Sequence, residues 1–485
     1  MSTSLKQKTV TSMIWGFLQR FVTMGVSFIS NIILARLLTP DDYGCIGMLM
    51  IFIALSNTFI DGGFGSALIQ KKRPTSEDYS TIFYWNIFLS IVLYGVLYLC
   101  SPFIASFYNI PLLSKILRVQ GVVLIVNAFG IIQANQLRKQ LKFKSIAQVS
   151  ITASIVSVIV AIAMAYMGCG IWSLVAQQIL SPLVTTVLYW IYSSWRPIRV
   201  FSWKSFKELF GFGSFMLLSS LINAFCNNLN GLLIGRFFNA SSMGYFTQAK
   251  KLEDVFSSSI ETVVGQVTYP VLVEVKDKYE ELKKMLSQFN SLLLYIVVPL
   301  MLLLNLLATP IVSLLLGAKW LSAVPYLKIL AFQGIAISIQ NINYNAVASI
   351  GRSKTLFVST LVKRVFSVIS LIMGMKLGGV EGLLWGMVIS SFFVSLYNSL
   401  MVHWYIGYKL LQQLSDLFPI IVVNVLAYVL VCCIKYFFPI EGLVLYLAIL
   451  VAYIFFYIVF SHVFKVKTIF LISNLIKDLL KRLTK

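Results

Sequence analysis

Long apolar stretches separated by short polar breaks recur along this whole chain. A helix needs about 20 mostly apolar residues to cross the hydrocarbon core of a bilayer, and about fourteen stretches meet that requirement. They lie at residues 10–34, 43–69, 80–107, 114–136, 145–167, 171–192, 206–238, 243–275, 282–307, 321–350, 355–375, 381–403, 415–437 and 441–464. The pattern predicts an all-α integral membrane protein with about 14 transmembrane helices. Residues 311–316 are too few to span and are predicted to form an interfacial turn.

Composition excludes a soluble enzyme. Apolar residues make up 59% of the 485 residues and charged residues 12%, whereas charged residues are about a quarter of a soluble domain. The longest predicted outer connection, residues 307–321, holds no histidine and no carboxylate that could carry catalysis. The cysteines lack metal-ligand spacing, and no glycine loop is followed by the Lys-Ser or Lys-Thr of a nucleotide site. We therefore predict a protein that is not an enzyme and needs neither a cofactor nor a metal.

The excess of positive charge is arranged by membrane side. Lysine and arginine number 39 against 17 acidic residues, a formal charge of +22, which in a soluble protein would suggest a nucleic-acid partner. Here most basic residues lie in the loops on the same side as the N-terminus, for example in 71–73 and 138–144. Cytoplasmic loops are enriched in lysine and arginine. Both termini are therefore predicted to be cytoplasmic, and no nucleic-acid partner is expected.

The chain contains an internal repeat. The segment NIILARLLTPDDYG at 31–44 is echoed by GLLIGRFFNASSMG at 231–244, which aligns Gly44 with Gly244, and Asn135 is matched by Asn345. Spans 1 to 6 thus resemble spans 7 to 12, and an even number of spans per repeat makes the repeats parallel. Two such bundles around a central cavity are typical of a transporter that opens to alternate sides of the membrane.

The repeat predicts the domain organisation. We expect an N-lobe over residues 1–205, a C-lobe over 206–408, and two additional helices over 409–464. In residues 465–485, apolar residues recur at helical spacing and basic residues lie on the other side of the same helix. This last segment is predicted to be an amphipathic helix that lies on the cytoplasmic leaflet.

In the N-lobe, charged residues at membrane depth mark the candidate site. Arg20 lies roughly 16 Å along span 1 and shares a polar helix face with Asn31. Asp61 lies at a similar depth on span 2, so the two residues could form an ion pair. One carboxylate leaves several of the five guanidinium donors available for a ligand, and both roles stay open.

The C-lobe carries comparable polar helix faces. Asn223 and Asn227 share one face of span 7, and Asn341 and Asn345 share one face of span 10. These faces are predicted to point at the cavity and to hold substrate.

Basic residues also occur inside the spans of the C-lobe. Lys250 and Lys251 on span 8 are candidate anion-binding groups, and the alternative for Lys250 is an intrahelical pair with Asp254. Lys363 and Arg364 on span 11 are expected to extend toward the cytoplasm.

The charges favour an anionic substrate. Arginine and lysine on both bundles suit a phosphate, because the guanidinium fork matches phosphate oxygens. An organic-cation carrier would instead need acidic groups in the cavity, and the candidates for ion pairing or coupling are Asp61 and Glu261.

Several motifs carry a family resemblance: the internal arginine of span 1, ILARLLTPDDYG at 33–44, FIDGGFGSALIQ at 59–70 and GCGIWSLV at 168–175. With these the chain resembles the polysaccharide transporter (Wzx-type oligosaccharide flippase) branch of the multidrug/oligosaccharidyl-lipid/polysaccharide flippase superfamily. The resemblance implies two six-helix lobes with two further helices. It makes Arg20 the cavity arginine of the first lobe and Lys250 or Lys251 the basic group of span 8. Lysine in place of arginine would give a single-point contact with the substrate.

The resemblance also implies a function. Such proteins move undecaprenyl-pyrophosphate-linked oligosaccharide repeat units outward across the bacterial inner membrane, for exopolysaccharide, capsule or O-antigen synthesis. The implied partners are the lipid-linked glycan and membrane lipid, with a polysaccharide polymerase and a chain-length regulator as further candidates. A lipid II flippase and an organic-cation antiporter on the same fold are the alternatives.

Overall fold

The computed structural model describes residues 3–71, 73–437 and 442–469, with side chains except those of 3–10, 13, 66, 212, 215, 258–267, 353, 354, 443 and 444. Every regular element of the described chain is helical, which confirms the predicted all-α class. Most of the segment predicted to be an amphipathic helix, residues 470–485, lies outside the described residues.

The helices follow one another with short connections. They are α1 Thr3–Leu37, α2 Pro40–Asp61, α3 Phe64–Gln70, α4 Ser76–Tyr108, α5 Leu112–Gln120, α6 Val122–Lys139, α7 Phe143–Tyr166, α8 Ile171–Tyr192, α9 Trp203–Phe237, α10 Ala240–Glu274, α11 Tyr279–Leu306, α12 Ala308–Leu315, α13 Val324–Ser349, α14 Ser353–Ile406, α15 Leu410–Phe437 and α16 Leu443–Val463. A 3-10 helix, Ala318–Ala323, precedes α13.

Within the described chain, 12 helical segments are long and apolar enough to cross a membrane. One of them, Thr355–Ile406, is 52 residues long and contains non-helical backbone at Gly378 and Gly379, so it holds two of the predicted spans. The 35-residue helix α10 occupies the place of the predicted span 8 and is not among the 12. The helices are consistent with the predicted count of about fourteen.

Residues 311–316 differ from the prediction. Residues 311–315 belong to the short helix α12 instead of a turn, and Leu316 directly follows that helix. Ala308, Pro310 and Val312 of α12 are buried, so packing stabilises a helix that is too short to span a bilayer.

Glycines hold the two halves of α14, residues 353–377 and 380–406, close together. A Cβ at Gly374 would overlap the carbonyl oxygen of Gly382, and one at Gly386 would overlap the carbonyl of Ser370. The Ser370 hydroxyl donates to the Gly386 carbonyl at 2.8 Å. Because backbone cannot move aside as a side chain can, these positions need glycine for the halves to approach.

The chain divides into two compact units, Met1–Thr247 and Gln248–Lys485. In the first unit, Phe64, Ile82 and Ile132 form part of a buried cluster that joins α3, α4 and α6. In the second unit, α15 and α16 pack on α11, and Tyr453 donates to Asn424 Oδ1 at 2.9 Å. The predicted lobe boundaries at residues 205 and 408 stay a prediction.

Equivalent positions of the sequence repeat meet inside the first unit. A Cβ at Gly44 would overlap the carbonyl of Ala240, and a Cβ at Gly244 would overlap the carbonyl of Pro40. The Ser241 hydroxyl donates to Asp41 Oδ1 at 2.7 Å. The N-terminal turns of α2 and α10 therefore pack reciprocally against each other.

Candidate functional site

Arg20 and Asn31 lie on one side of α1 while another side is held by neighbouring helices. Gln19 donates to Ser150 of α7 at 2.9 Å, and Gln177 of α8 donates to Ser30 at 3.2 Å. At about 100° per residue, Gln19 and Ser30 share one helix face, and Arg20 and Asn31 share the next. Arg20 is exposed and Asn31 is partly exposed. The predicted polar face of span 1 is thus a distinct side of α1.

Asp61 ends α2 at a sharp bend of the chain. Gly62 and Gly63 follow with φ of 56° and 71°, left-handed values that favour glycine. Asp61 and Asn135 converge on Gly65, where a Cβ would lie 3.2 Å from Asp61 Oδ1 and 2.9 Å from Asn135 Nδ2. Glycine at these positions therefore lets Asp61 approach α6.

The ion pair of Arg20 with Asp61 does not occur among the side chains that the structure describes. Arg138 of α6 is the basic residue whose charge acts on Asp61. Asn135 is 4% exposed, and its Nδ2 has no acceptor among the described atoms. The sequence repeat aligns Asn135 with Asn345, but Asn135 is not among the predicted site residues.

A charged cluster ties the connection between α3 and α4 to α9. The Lys71 ammonium lies 3.1 Å from Asp78 Oδ2 and 3.1 Å from Glu208 Oε2. Burial by itself lowers the pKa of Lys71, but the hydrogen bonds and charges of Asp78 and Glu208 outweigh it and raise that pKa. Asp78 and Glu208 thus hold the Lys71 ammonium in its charged form at neutral pH.

The two asparagines predicted on span 7 lie on α9. Asn223 is partly exposed and Asn227 is exposed. Their substrate role stays a prediction.

Lys250 in the second unit is paired inside its own helix. Its ammonium contacts the carboxylate of Glu253 and lies 3.0 Å from Asp254 Oδ1. This confirms the predicted alternative, a pair with Asp254, and adds a second carboxylate. The next residue, Lys251, is exposed, and its substrate role stays a prediction, as does that of Lys250.

Glu253 is a buried carboxylate that sequence analysis did not single out. Its side chain is 0% exposed, and a Cβ at Gly334 of α13 would lie 2.8 Å from Glu253 Oε1 and 2.8 Å from Met301 Sδ. Glu253 Oε1 has no hydrogen-bond donor among the described atoms. The spacing from Lys250 was visible in the sequence, but the glycine that admits the carboxylate lies on another helix. The side chain of Glu261, the predicted coupling residue, lies outside the described residues.

Polar side chains are grouped on one face of α13. Asn341 and Asn345 are partly exposed, as is Gln340, and Tyr344 is 39% exposed. A face against hydrocarbon would be apolar, so this face suits an aqueous or polar surrounding.

Lys363 contradicts the expectation that it extends toward the cytoplasm. It is 7% exposed, and its ammonium donates to Asn398 Oδ1. The ammonium also lies 5.7 Å from the ring centroid of Tyr344 and 5.6 Å from that of Tyr397. Asn398 in turn donates to the Gln340 carbonyl at 2.9 Å. An amide oxygen and two aromatic faces from neighbouring helices replace the water that extension would have provided.

Comparisons with known proteins agree with the motif resemblance. A family model described as polysaccharide biosynthesis protein matches residues 33–325. Teichuronic acid biosynthesis protein TuaB of Bacillus subtilis (strain 168) is 29% identical over 363 residues, 74% of this chain and 74% of that protein. Lipopolysaccharide biosynthesis protein WzxC of Escherichia coli (strain K12) is 24% identical over 392 residues, 80% of this chain and 79% of that protein.

A solved structure shares the fold. Lipid II flippase MurJ in an inward closed conformation matches with a TM-score of 0.77 at 16% identity, over 95% of this chain and 100% of that chain. At this identity the likeness concerns the fold alone. The family model and the two relatives confirm the predicted resemblance to the polysaccharide branch, and the solved structure confirms the fold.

Proposed function

This chain belongs to the polysaccharide biosynthesis protein family, and from that membership we propose that it flips undecaprenyl-pyrophosphate-linked oligosaccharide repeat units from the cytoplasmic to the outer leaflet. The proposed mechanism is alternating access, and the proposed location is the bacterial inner membrane with both termini in the cytoplasm. The product would enter exopolysaccharide, capsule or O-antigen synthesis. The chain is then a transporter and not an enzyme, and a polymerase and a chain-length regulator are its proposed partners.

The polar face of α1 is the observation that carries this proposal. Arg20 and Asn31 share one side of α1. The adjacent side of α1 is bound to α7 and α8 through Gln19 and Ser30. Ionisable groups are costly in hydrocarbon and are retained where they meet a polar partner or a cavity. The planar guanidinium of Arg20 can donate paired hydrogen bonds to phosphate oxygens, and Asn31 can donate to and accept from sugar hydroxyls.

The three parts of the proposed substrate, its pyrophosphate, its glycan and its polyprenyl chain, would bind to different groups. The pyrophosphate would bind Arg20, the glycan would bind asparagine side chains such as those of α1 and α9, and the polyprenyl chain would stay in lipid. With the cytoplasm negative, moving uncompensated negative charge outward is favoured by about 2.3 kcal/mol per charge per 100 mV. Lys250 is held by two carboxylates, so a substrate phosphate would have to displace at least one of them to bind there.

The test is a flipping assay with purified protein in proteoliposomes. The probe is a fluorescent, short-chain polyprenyl-pyrophosphate trisaccharide whose outer-leaflet fraction is measured with a membrane-impermeant quencher. We expect Arg20→Ala to lower the flipping rate by about a hundredfold, because it removes charged hydrogen bonds worth about 1.5–3 kcal/mol each. Arg199→Ala, which removes an exposed arginine elsewhere in the first unit, is the control and should keep the wild-type rate.

Other outcomes would contradict the proposal. Equal rates for Arg20→Ala and wild type would remove Arg20 from the substrate site. Transport of lipid II in preference to the trisaccharide probe would favour the lipid II alternative, and proton-driven export of an organic cation would favour the antiporter alternative.

A further inference from the structure

Lys363 is an uncommon group for the interior of a membrane protein. It lies about ten residues, or roughly 15 Å, beyond the start of α14, and it is 7% exposed. A buried ammonium is costly unless it is paired, and intramembrane ionisable groups are functional candidates by default. None of the ion pairs of the described side chains involves Lys363.

The partners of Lys363 leave part of its bonding capacity available. An ammonium has three donors, and Asn398 Oδ1 takes one of them. The Tyr344 and Tyr397 rings stabilise the positive charge through their faces but supply no negative charge. The site therefore keeps a net positive charge that a ligand oxygen can still contact.

The site borders the polar face of α13. Tyr344 is both one wall around the ammonium and a 39% exposed member of that face. Gln340, one turn earlier on the same face, accepts from Asn398. A ligand that binds Asn341 and Asn345 would thus lie beside Tyr344, within reach of a lysine that has four rotatable bonds.

The charge at this site fits a single anion. Arg364 is the next residue and leaves the helix in a direction turned by about 100°, so the Lys363 ammonium is the cation that Tyr344 and Tyr397 enclose. A pyrophosphate carries more than one negative charge and is better matched by several cations, whereas one ammonium matches one carboxylate.

Aromatic rings continue from the site along α14. The Tyr397 centroid lies 6.3 Å from that of Phe393 and 6.4 Å from that of Trp404, and Trp404 is 60% exposed. Flat ring faces beside amide donors suit the apolar C–H face of a sugar ring. The surroundings of Lys363 therefore favour a carboxylate carried on a sugar.

We propose that the ammonium of Lys363, walled by Tyr344 and Tyr397, is a subsite for the carboxylate of an acidic sugar, and that it makes the protein prefer acidic glycans. The inference rests on the proposed function and adds a substrate class to it. The ligand carboxylate accepts from the ammonium donors that Asn398 does not use.

The experiment compares two matched ligands on the purified full-length protein in lipid nanodiscs. Both are short-chain polyprenyl-pyrophosphate disaccharides, one ending in a hexuronic acid and the other in the corresponding neutral hexose. Wild type is expected to bind the acidic ligand about tenfold more tightly, the effect of one charged hydrogen bond. Lys363→Gln should abolish the preference and leave affinity for the neutral ligand within about twofold.

Controls separate this subsite from other causes. Lys376→Gln, which removes an exposed lysine of the same half of α14, should keep the preference. Should Lys363→Gln fail to fold, Lys363→Arg, which retains the charge, must keep the preference. Equal binding of the two ligands by wild type would overturn the inference. Equal weakening of both ligands by Lys363→Gln would also overturn it, because the lysine would then serve the pyrophosphate or the fold.

Flipping measurements on the same two ligands distinguish the two proposals. If wild type flips both without preference, only the carboxylate subsite is wrong. If wild type flips neither, the proposed function itself is contradicted.

Discussion

Lys250 and Lys363 are two lysines of the second unit that the protein accommodates in different ways. Lys250 meets two carboxylates from the next turn of its own helix. Lys363 meets an amide and two aromatic rings that come from the other half of α14 and from α13. The charge of Lys250 is balanced by carboxylates of its own helix. The charge of Lys363 is surrounded by Asn398, Tyr344 and Tyr397, here called the cage of Lys363, and none of them carries a negative charge. A basic residue inside a membrane helix is therefore evidence for a ligand site only when the groups around it have been identified.

Removal of Lys250 is expected to have the largest effect. Lys250→Met would leave Glu253, which is 0% exposed, as an unpaired buried carboxylate. Losing one partner of a buried ion pair costs about 3–5 kcal/mol of unfolding free energy. We expect a large drop in thermal stability, measured by the loss of folded protein in detergent after heating.

A second substitution tests the cause. Lys250→Met combined with Glu253→Gln should recover most of the stability, because the uncompensated charge is removed with its partner. A double variant as unstable as the single one would show that Lys250 stabilises the fold by packing and not by charge.

The cage of Lys363 depends on the close approach of the two halves of α14. Gly374→Ala would place a Cβ on the carbonyl of Gly382 and push apart the halves that carry Lys363 and Asn398. Such overpacking costs about 1–3 kcal/mol, and the same thermal measurement would report it. Gly95→Ala, at a helical glycine with no atom within 4 Å of the new Cβ, is the control and should be neutral or slightly stabilising.

Substitution of Asp254, the second carboxylate beside Lys250, is expected to have the smallest effect. Asp254 is 51% exposed, whereas Glu253 contacts the same ammonium from a buried position. Exposed helical pairs contribute about 0.3–0.5 kcal/mol, so Asp254→Asn should leave the thermal midpoint close to that of wild type. A loss as large as that of Lys250→Met would mean that Asp254, not Glu253, compensates the lysine.

The site was predictable where it depends on spacing within one helix. The pair of Lys250 with Asp254 follows from an i,i+4 separation, and the shared face of Arg20 and Asn31 follows from helical periodicity. The burial of Glu253 was not predictable, because it depends on Gly334 of α13 leaving space for the carboxylate. The effect of the Arg138 charge on Asp61 was missed for the same reason, since Arg138 comes from α6.

Hydrophobicity and periodicity along the chain determined the helical class, the approximate number of spans and the repeat. These properties depend on single residues and their neighbours in sequence, and backbone polar groups in a bilayer must bond within a helix. Tertiary packing alone decided that Lys363 is enclosed and that Glu253 is buried. The free energy of a charge in a membrane is set by the atoms within a few ångströms of it, and in both cases decisive neighbours come from helices distant in the sequence.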